Sequence, residues 1–386
     1  GLSDFAQRVV DQLVAQQPSI KPRMRVVEVG ALAGRRKFDE AVALAGQLNL
    51  SDAAVQSATL DLANTLYSFG RTGQARAMWD RFFGAYGTKK PQTPEEMTQY
   101  VEASYRMAQM LTAEKKLGGA IAALQRGMSA GPEIAMQRTL AAESGLLYTE
   151  YAKSLEGDKK KKAVAKAEEL ATFIFFKGGY DLLYGKGVNI LVQAKLAEGK
   201  RQEAIDIVAN HAQDLRTIDD ALKKQGVDMA LSPMAGLRFS RGQLYEEDCR
   251  KLFAEGKDAA AKKALKGAVT DYYNVSYHYA GSEWATRAAI AFNGLNEFYQ
   301  AKGNPPFKVS VKGGDVAELA KSRMRVADDL FRKKQYAQCI VEYSDILNLY
   351  PDVNVAPKML SSLAVSFAEN DKPLYAEMVI GYTAER

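Results

Sequence analysis

Leu66-Tyr-Ser-Phe-Gly-Arg-Thr-Gly-Gln-Ala75 reads as a helix end, a turn and a new helix start. Gly70 closes one helical stretch, and Ala75, five residues on, lies inside an Ala-rich second stretch. The spacing recurs as Arg36…Ala41, Lys115…Ala120, Gly199…Ala204, Gly256…Ala261 and Lys334…Cys339. Twice a proline, Pro132 and Pro351, closes the unit twelve residues later. Self-similarity at a period in the thirties marks a stacked helical array, in which each unit buries its apolar face against its neighbours.

Around these turns the apolar residues recur at three and four, as in Leu60, Ala63, Leu66 and Tyr67, then Ala75, Met78, Trp79 and Phe82. That is the period of an amphipathic helix. Only Phe307–Val311 alternates as a strand does, inside a Gly/Pro-rich insert. Most of the 11 prolines fall between helical segments, where proline is tolerated. A lead helix is expected at 3–16. Pairs follow at 22–34 with 38–48, 53–69 with 73–86, 95–113 with 117–130, 135–155 with 159–176, 181–198 with 201–215, and 233–254 with 257–279. The helix at 283–301 has no clean partner. The last pairs are 315–333 with 335–349 and 355–369 with 373–384. The turns of the 135–176 and 355–384 pairs are expected to need an extra residue. The chain therefore divides into a capping helix at 1–21, repeats at 22–302, the insert at 303–314 and further repeats at 315–386.

These units resemble the tetratricopeptide repeat. Residues 323–351 carry Leu330, Tyr336, Cys339, Tyr343 and Pro351 in its pattern. Residues 57–87 carry Leu62, Ala63, Gly70, Ala75 and Trp79, and residues 104–132 carry Ala108, Ala120, Leu124 and Pro132. Small residues at facing positions let two helices approach while large ones fill the grooves between units. The resemblance implies an all-α, right-handed α–α superhelix, a solenoid of about 7–8 helical hairpins. It also implies an inner groove, lined by the position eleven residues before each small residue. Gly30, Asn64, Gln109, Gln193, Arg250 and Asp328 occupy that position. The groove candidates are Asn64, Tyr67, Gln109, Gln193, Arg250 and Asp328, with a protein or peptide as partner. Their mixed charge is unlike a uniformly basic clamp for acidic chain ends.

A second likeness is to junctions of repeat proteins in bacterial envelopes, of the form Tyr-Pro-x-Ser-x-x-Ala. Tyr277-His-Tyr-Ala-Gly-Ser-Glu-Trp-Ala285 has this form with Ala280 in place of proline, and Leu349-Tyr-Pro-Asp-Val-Asn-Val-Ala356 reads similarly. It implies a periplasmic or outer-membrane-associated protein of the cell envelope. A cytoplasmic setting is the alternative. The chain starts at Gly1 without a Met or a signal-like segment, so a leader or tag is expected to have been removed, and a cleaved signal peptide or a lipoprotein anchor stays open.

Bulk chemistry narrows the function. The 386 residues carry 52 basic and 46 acidic side chains, a net charge of +6. That excess is small for a nucleic-acid binder, so no nucleic acid is expected as partner. The greasiest run, Ala171–Phe176, is far shorter than the roughly 18 residues of a membrane span. Peripheral or lipid-anchored association stays open. Cys249 and Cys339 both fall where the repeat wants a small residue, and are expected to be packed free thiols.

Catalytic strings do not survive their context. Gly127-Met-Ser-Ala-Gly131 matches a nucleophile elbow, but it follows a helical run and precedes Pro132, with no strand before the serine. Gly178–Gly187 is misspaced for a phosphate loop and reads as an interhelical turn. The two histidines, His211 and His278, belong to no ligand cluster. Lys159–Lys162 reads as a solvated face. No enzyme activity, cofactor or metal is expected. The reading is a scaffold or adaptor that binds its partner in the groove. The rival is a carbohydrate- or small-ligand-binding solenoid that uses the aromatic patch at 272–284, Tyr272 to Trp284, if its rings face outward.

Overall fold

The computed structural model describes residues 2–87, 89–227, 229–280, 282–307, 316–349 and 357–385. Helices make up 83% of the chain, and no strand occurs among the described residues. Residues 308–311 of the expected strand at 307–311, most of the insert at 303–314 and the junction at 350–356 lie outside the described residues.

Two compact units form, Gly1–Gly178 and Gly179–Arg386, dividing within the expected repeat run. In the first unit, α1 (Leu2–Gln16) packs on α2 (Lys21–Gly34). Hairpins follow as α2 with α3 (Phe38–Gln47), α4 (Ala53–Ser68) with α5 (Thr72–Tyr86), α6 (Pro94–Ala113) with α7 (Leu117–Ser129), and α8 (Ile134–Lys153) with α9 (Gly157–Phe176). The second unit holds α10 (Leu182–Ala197) with α11 (Arg201–Asn210), α12 (Ala212–Lys224), α13 (Pro233–Ala254) with α14 (Asp258–His278), and α15 (Glu283–Gln300). It ends with α16 (Val316–Arg332) paired to α17 (Tyr336–Leu349) and α18 (Pro357–Glu369) paired to α19 (Pro373–Glu385).

The recurring spacing is a backbone device. Arg36, Gly70, Lys115, Gly199, Gly256 and Lys334 all take positive φ, between 56° and 77°. In each case the next amide donates back to a carbonyl five residues earlier, as Arg71 N does to Leu66 O at 2.9 Å. This is the left-handed cap that satisfies the last carbonyls of a helix. The second helix restarts at once, and its small residue (Ala41, Ala75, Ala120, Ala204, Ala261 or Cys339) is fully buried against the first. A seventh turn joins α18 to α19, with Asp371 at φ 55° and Ala376 buried. It needs no extra residue, contrary to the sequence expectation. An aspartate in the left-handed slot, where the other turns carry Gly, Lys or Arg, masked it. The α8–α9 turn, Ser154–Glu156, is three residues long like the others, but its positive φ falls at Gly157 and the buried Ala163 comes six residues on instead of five, the extra residue that was expected.

The expected helix 201–215 is two helices. His211, at φ −90° and ψ 5°, ends α11 and starts α12. The second piece buries Leu215, Ile218 and Leu222. The Gly178–Gly187 string is only partly a turn. Gly185 and Gly187 lie within α10 and are buried there.

The first unit is built on Trp79, Phe82, Leu62, Leu66, Met110, Leu124 and Leu140, all fully buried. The second has cores around Tyr272, Val275 and Leu295, and around Leu330, Tyr343 and Ile346. Cys249 and Cys339 are buried and unpaired within these cores. Burial pushes each thiol up to about 11. At neutral pH the thiolate is then on the order of a hundredfold scarcer than in a free thiol. Native protein mixed with a maleimide is expected to label at neither cysteine over the time in which denatured protein labels at both. Fast native labelling of either would show that its helix pair opens.

Candidate binding face on the first helices of unit 1

In the first unit, the first helices of three hairpins, α2, α4 and α6, carry the candidate groove positions Gly30, Asn64 and Gln109. Between α2 and α4 lies a cleft of about 700 Å³. Its floor is small and apolar, with Val26, Gly30, Ala33, Ala58 and Leu62, and Ser57, Asp61 and Thr65 on its rim. Small side chains create the space, since nothing fills what a larger residue at Gly30 would occupy. On the other side of α4, a cleft of about 510 Å³ is lined from α4, α6 and α8 by Tyr67, Tyr105, Gln109, Thr112, Glu143 and Leu147.

A hydrogen-bonded bridge separates the clefts. Asn64 Nδ2 donates to Glu102 Oε1 at 3.2 Å, and Arg106 Nε donates to the same oxygen at 2.9 Å. Trp79, fully buried on α5, donates its indole N–H to Asn64 Oδ1 at 3.2 Å. Asn64 is therefore no idle polar residue of a solvated face. Removing its amide strands the indole N–H of a core tryptophan. Asp328 plays the same part in the second unit, where it accepts from the hydroxyl of the buried Tyr343. Both aromatics lie fifteen residues after their acceptor, at the same repeat position.

Three of the sequence candidates thus come together, with Tyr67 and Gln109 in one cleft and Asn64 at its border. No hydrogen bond or ion pair joins Gln193, Arg250 and Asp328 among the described residues. Gln193 is half-buried on α10. Arg250 is held by Glu246 at 2.7 Å and lies over the Phe298 ring at 4.5 Å. Asp328 lines a small cleft with Thr286, Arg325 and Arg332.

Sequence reasoning missed Asp61, Glu102 and Glu143, which give the unit 1 face its charge. Burial and then the Glu102 charge push the Asp61 carboxyl above its ordinary value. Both causes disfavour the charged form of the carboxyl. The signal was weak, because single acids on a helix usually face solvent.

The other motifs resolve into structure. Ser129 ends α7 and donates to the Arg126 carbonyl, while Gly131 turns left-handed at φ 84°. His211 Nδ1 lies 2.8 Å from the Tyr184 hydroxyl, which donates to Asp214. Lys159, Lys161 and Lys162 are exposed and Lys160 is half-buried. The aromatic patch is core. Tyr272, Tyr277 and Tyr279 are buried, and Trp284 is half-buried against Phe239 at 5.5 Å. The three buried rings offer no stacking face to a sugar, while Tyr273 and Trp284 are half-buried. The serine of the envelope-type junction, Ser282, caps α15 by accepting from Ala285 N at 3.2 Å. Among the described residues, no helix is long and apolar enough to cross a membrane.

No family model matches the chain, and no curated protein matches it. Several solved structures do. The P58(IPK) TPR domain aligns at 15% identity over 86% of this chain and 83% of its own, with a TM-score of 0.27. A human IFIT1 dimer with PPP-AAAA aligns at 10% identity over 99% and 94%, with a TM-score of 0.25. A circular tandem repeat protein aligns at 11% identity over 99% and 86%, with a TM-score of 0.23. Superpositions this loose leave the fold to rest on the seven matching turns and their buried small residues. In fold, the chain resembles the tetratricopeptide repeat proteins.

Proposed function

We propose that this protein is a non-catalytic scaffold that holds a partner protein through an extended peptide on the first-helix face of unit 1. One observation carries the reading. Two clefts flank α4, floored by small or apolar side chains, and the acids around them outnumber the cations. The matching segment places small apolar side chains between α2 and α4 and a Lys or Arg against Asp61 and Glu102. The cell envelope is the proposed setting, and its support is the junction sequence around Tyr279 and Ser282.

A panel of synthetic peptides, varied in charge and side-chain size, tests this against the intact chain. Peptides that combine a cationic residue with small apolar neighbours should bind best. Asp61→Asn should weaken them about two- to fivefold, the range of a partly exposed ion pair. Gln109→Ala should weaken them without lowering the melting temperature, since Gln109 is exposed. Affinity should fall as the pH drops through the Asp61 pKa, because protonation removes the charge that the cation meets. Asn64→Ala is unsuitable here, since it disturbs Trp79. Equal binding by anionic peptides, or indifference to both substitutions, would place the site elsewhere.

A further inference from the structure

The second unit contains a cleft built from the helix that the sequence reading missed. It encloses about 370 Å³ between α12, the start of α13 and the end of α14. Arg216, Asp219, Asp220 and Lys223 face it from α12, Arg238 from α13, and Asn274, His278 and Tyr279 from the end of α14. On α12 these positions are spaced three, four and seven apart, so they share one side of the helix.

The two acids differ. Asp219 is buried, and both its oxygens are engaged. One accepts from Ser232 Oγ at 2.5 Å and the other from the Tyr279 hydroxyl at 2.7 Å. It is a structural pin that ties α12 to the cap of α13 and the end of α14. Asp220 is exposed on the rim. The cations have no such duty. Among the described residues, none of Arg216, Lys223 and Arg238 forms an ion pair within 4.0 Å. Arg238 Nε is buried without any hydrogen-bond partner in the protein. A guanidinium offers five donors and no acceptor, and a buried N–H left unpaired is costly. Arg216 and Arg238 both lie close enough to act on the Tyr279 hydroxyl, so their fields converge on the floor of the cleft.

We infer that this cleft binds an oxyanion, a phosphoryl or carboxylate group, which supplies the acceptor that Arg238 lacks. Such groups match the planar fork of arginine and form charge-assisted hydrogen bonds. Arg216 and Lys223 hold the anion from the rim, and Asp220 opposes it. The site is separate from the unit 1 face and does not depend on it.

Calorimetric titration of the intact chain tests the inference in four arms. These are inorganic phosphate, a short phosphoserine peptide, the same peptide with glutamate, and the same peptide with alanine. Binding is expected in at least one of the first three, weakening as salt rises, and none with the alanine peptide. Arg216→Gln and Lys223→Gln, both at exposed positions, should each weaken it at least threefold. Asp220→Asn should strengthen it, a gain that misfolding cannot mimic. Phosphate binding without peptide binding identifies a free anion as the ligand, and the reverse identifies a partner segment. Silence in all three anionic arms at millimolar concentration overturns the inference. So does binding that the three substitutions leave unchanged, or equal binding of the alanine peptide.

Discussion

Arg323→Leu is expected to destabilise the second unit by about 3–5 kcal/mol, the cost of leaving a buried charge unpaired. Arg323 on α16 donates to Glu342 Oε2 on α17 at 3.0 Å, and their side chains are 8% and 1% accessible. Its other arm reaches Asp345 at 2.7 Å. Tyr277, near the end of α14, donates to Glu342 at 3.2–3.3 Å, with the guanidinium 5.3 Å from its ring centre. Burial works to lower the Arg323 pKa, but Glu342, Tyr277 and Asp345 together outweigh it and hold the group charged. Burial and then Glu342 hold the Tyr277 phenol far above its usual range, so it stays a donor. The cluster joins three helices across 65 positions of sequence. Replacing Arg323 alone leaves the Glu342 carboxylate with a single phenol. Replacing both partners with apolar residues removes the unpaired charge together with its cation, so Arg323→Met with Glu342→Leu should lie much nearer the parent. Urea unfolding of the single and double variants decides it. A single variant that costs under 1 kcal/mol, or a double variant as unstable as the single, would refute the reading.

The same chemical change, Gly to Ala, should have opposite effects at two helix-interior sites. A Cβ on Gly185 of α10 would lie 2.1 Å from Pro233 Cβ and 2.4 Å from its Cγ. Pro233 sits in the first turn of α13, where its ring cannot swing aside. Gly185→Ala must therefore push α10 off α13, and about 1–3 kcal/mol of stability should be lost. At Gly294, inside α15, nothing lies within 4 Å of the added carbon. There Gly294→Ala should stabilise by about 0.5–1 kcal/mol, through the better helix propensity of alanine. Melting temperatures of the two variants should move in opposite directions. Two shifts of the same sign would mean that propensity alone governs these sites, and that the α10–α13 contact is looser than it looks.

These two residues show where legibility ends. Gly70 announced its turn because a left-handed backbone is a local demand, and so is the small residue five positions on, which must fit under the preceding helix. Six turns and nearly every hairpin followed from that pairing. The break at His211 went unread because it is made without Gly or Pro, in a conformation most residues can adopt. With it went α12 and the cleft that it builds. Gly185 looked like turn material because nothing near it in sequence names Pro233, 48 residues away. The aromatic run at 272–279 looked the same whether it faced inward or outward. Only the approach of α13, α15 and α16 makes it core.

By itself, then, the sequence determined the helices, their hairpin turns and the small residues at their crossings, because each depends on backbone conformation and spacing within one unit. Tertiary structure alone decided which polar groups meet. Asn64 became the acceptor for Trp79, Asp61 came to share a face with Glu102, and Arg238 was left with a buried, unanswered N–H. Hydrogen bonds and charges act over a few ångströms of space, and helix packing brings those ångströms together from positions far apart in the chain.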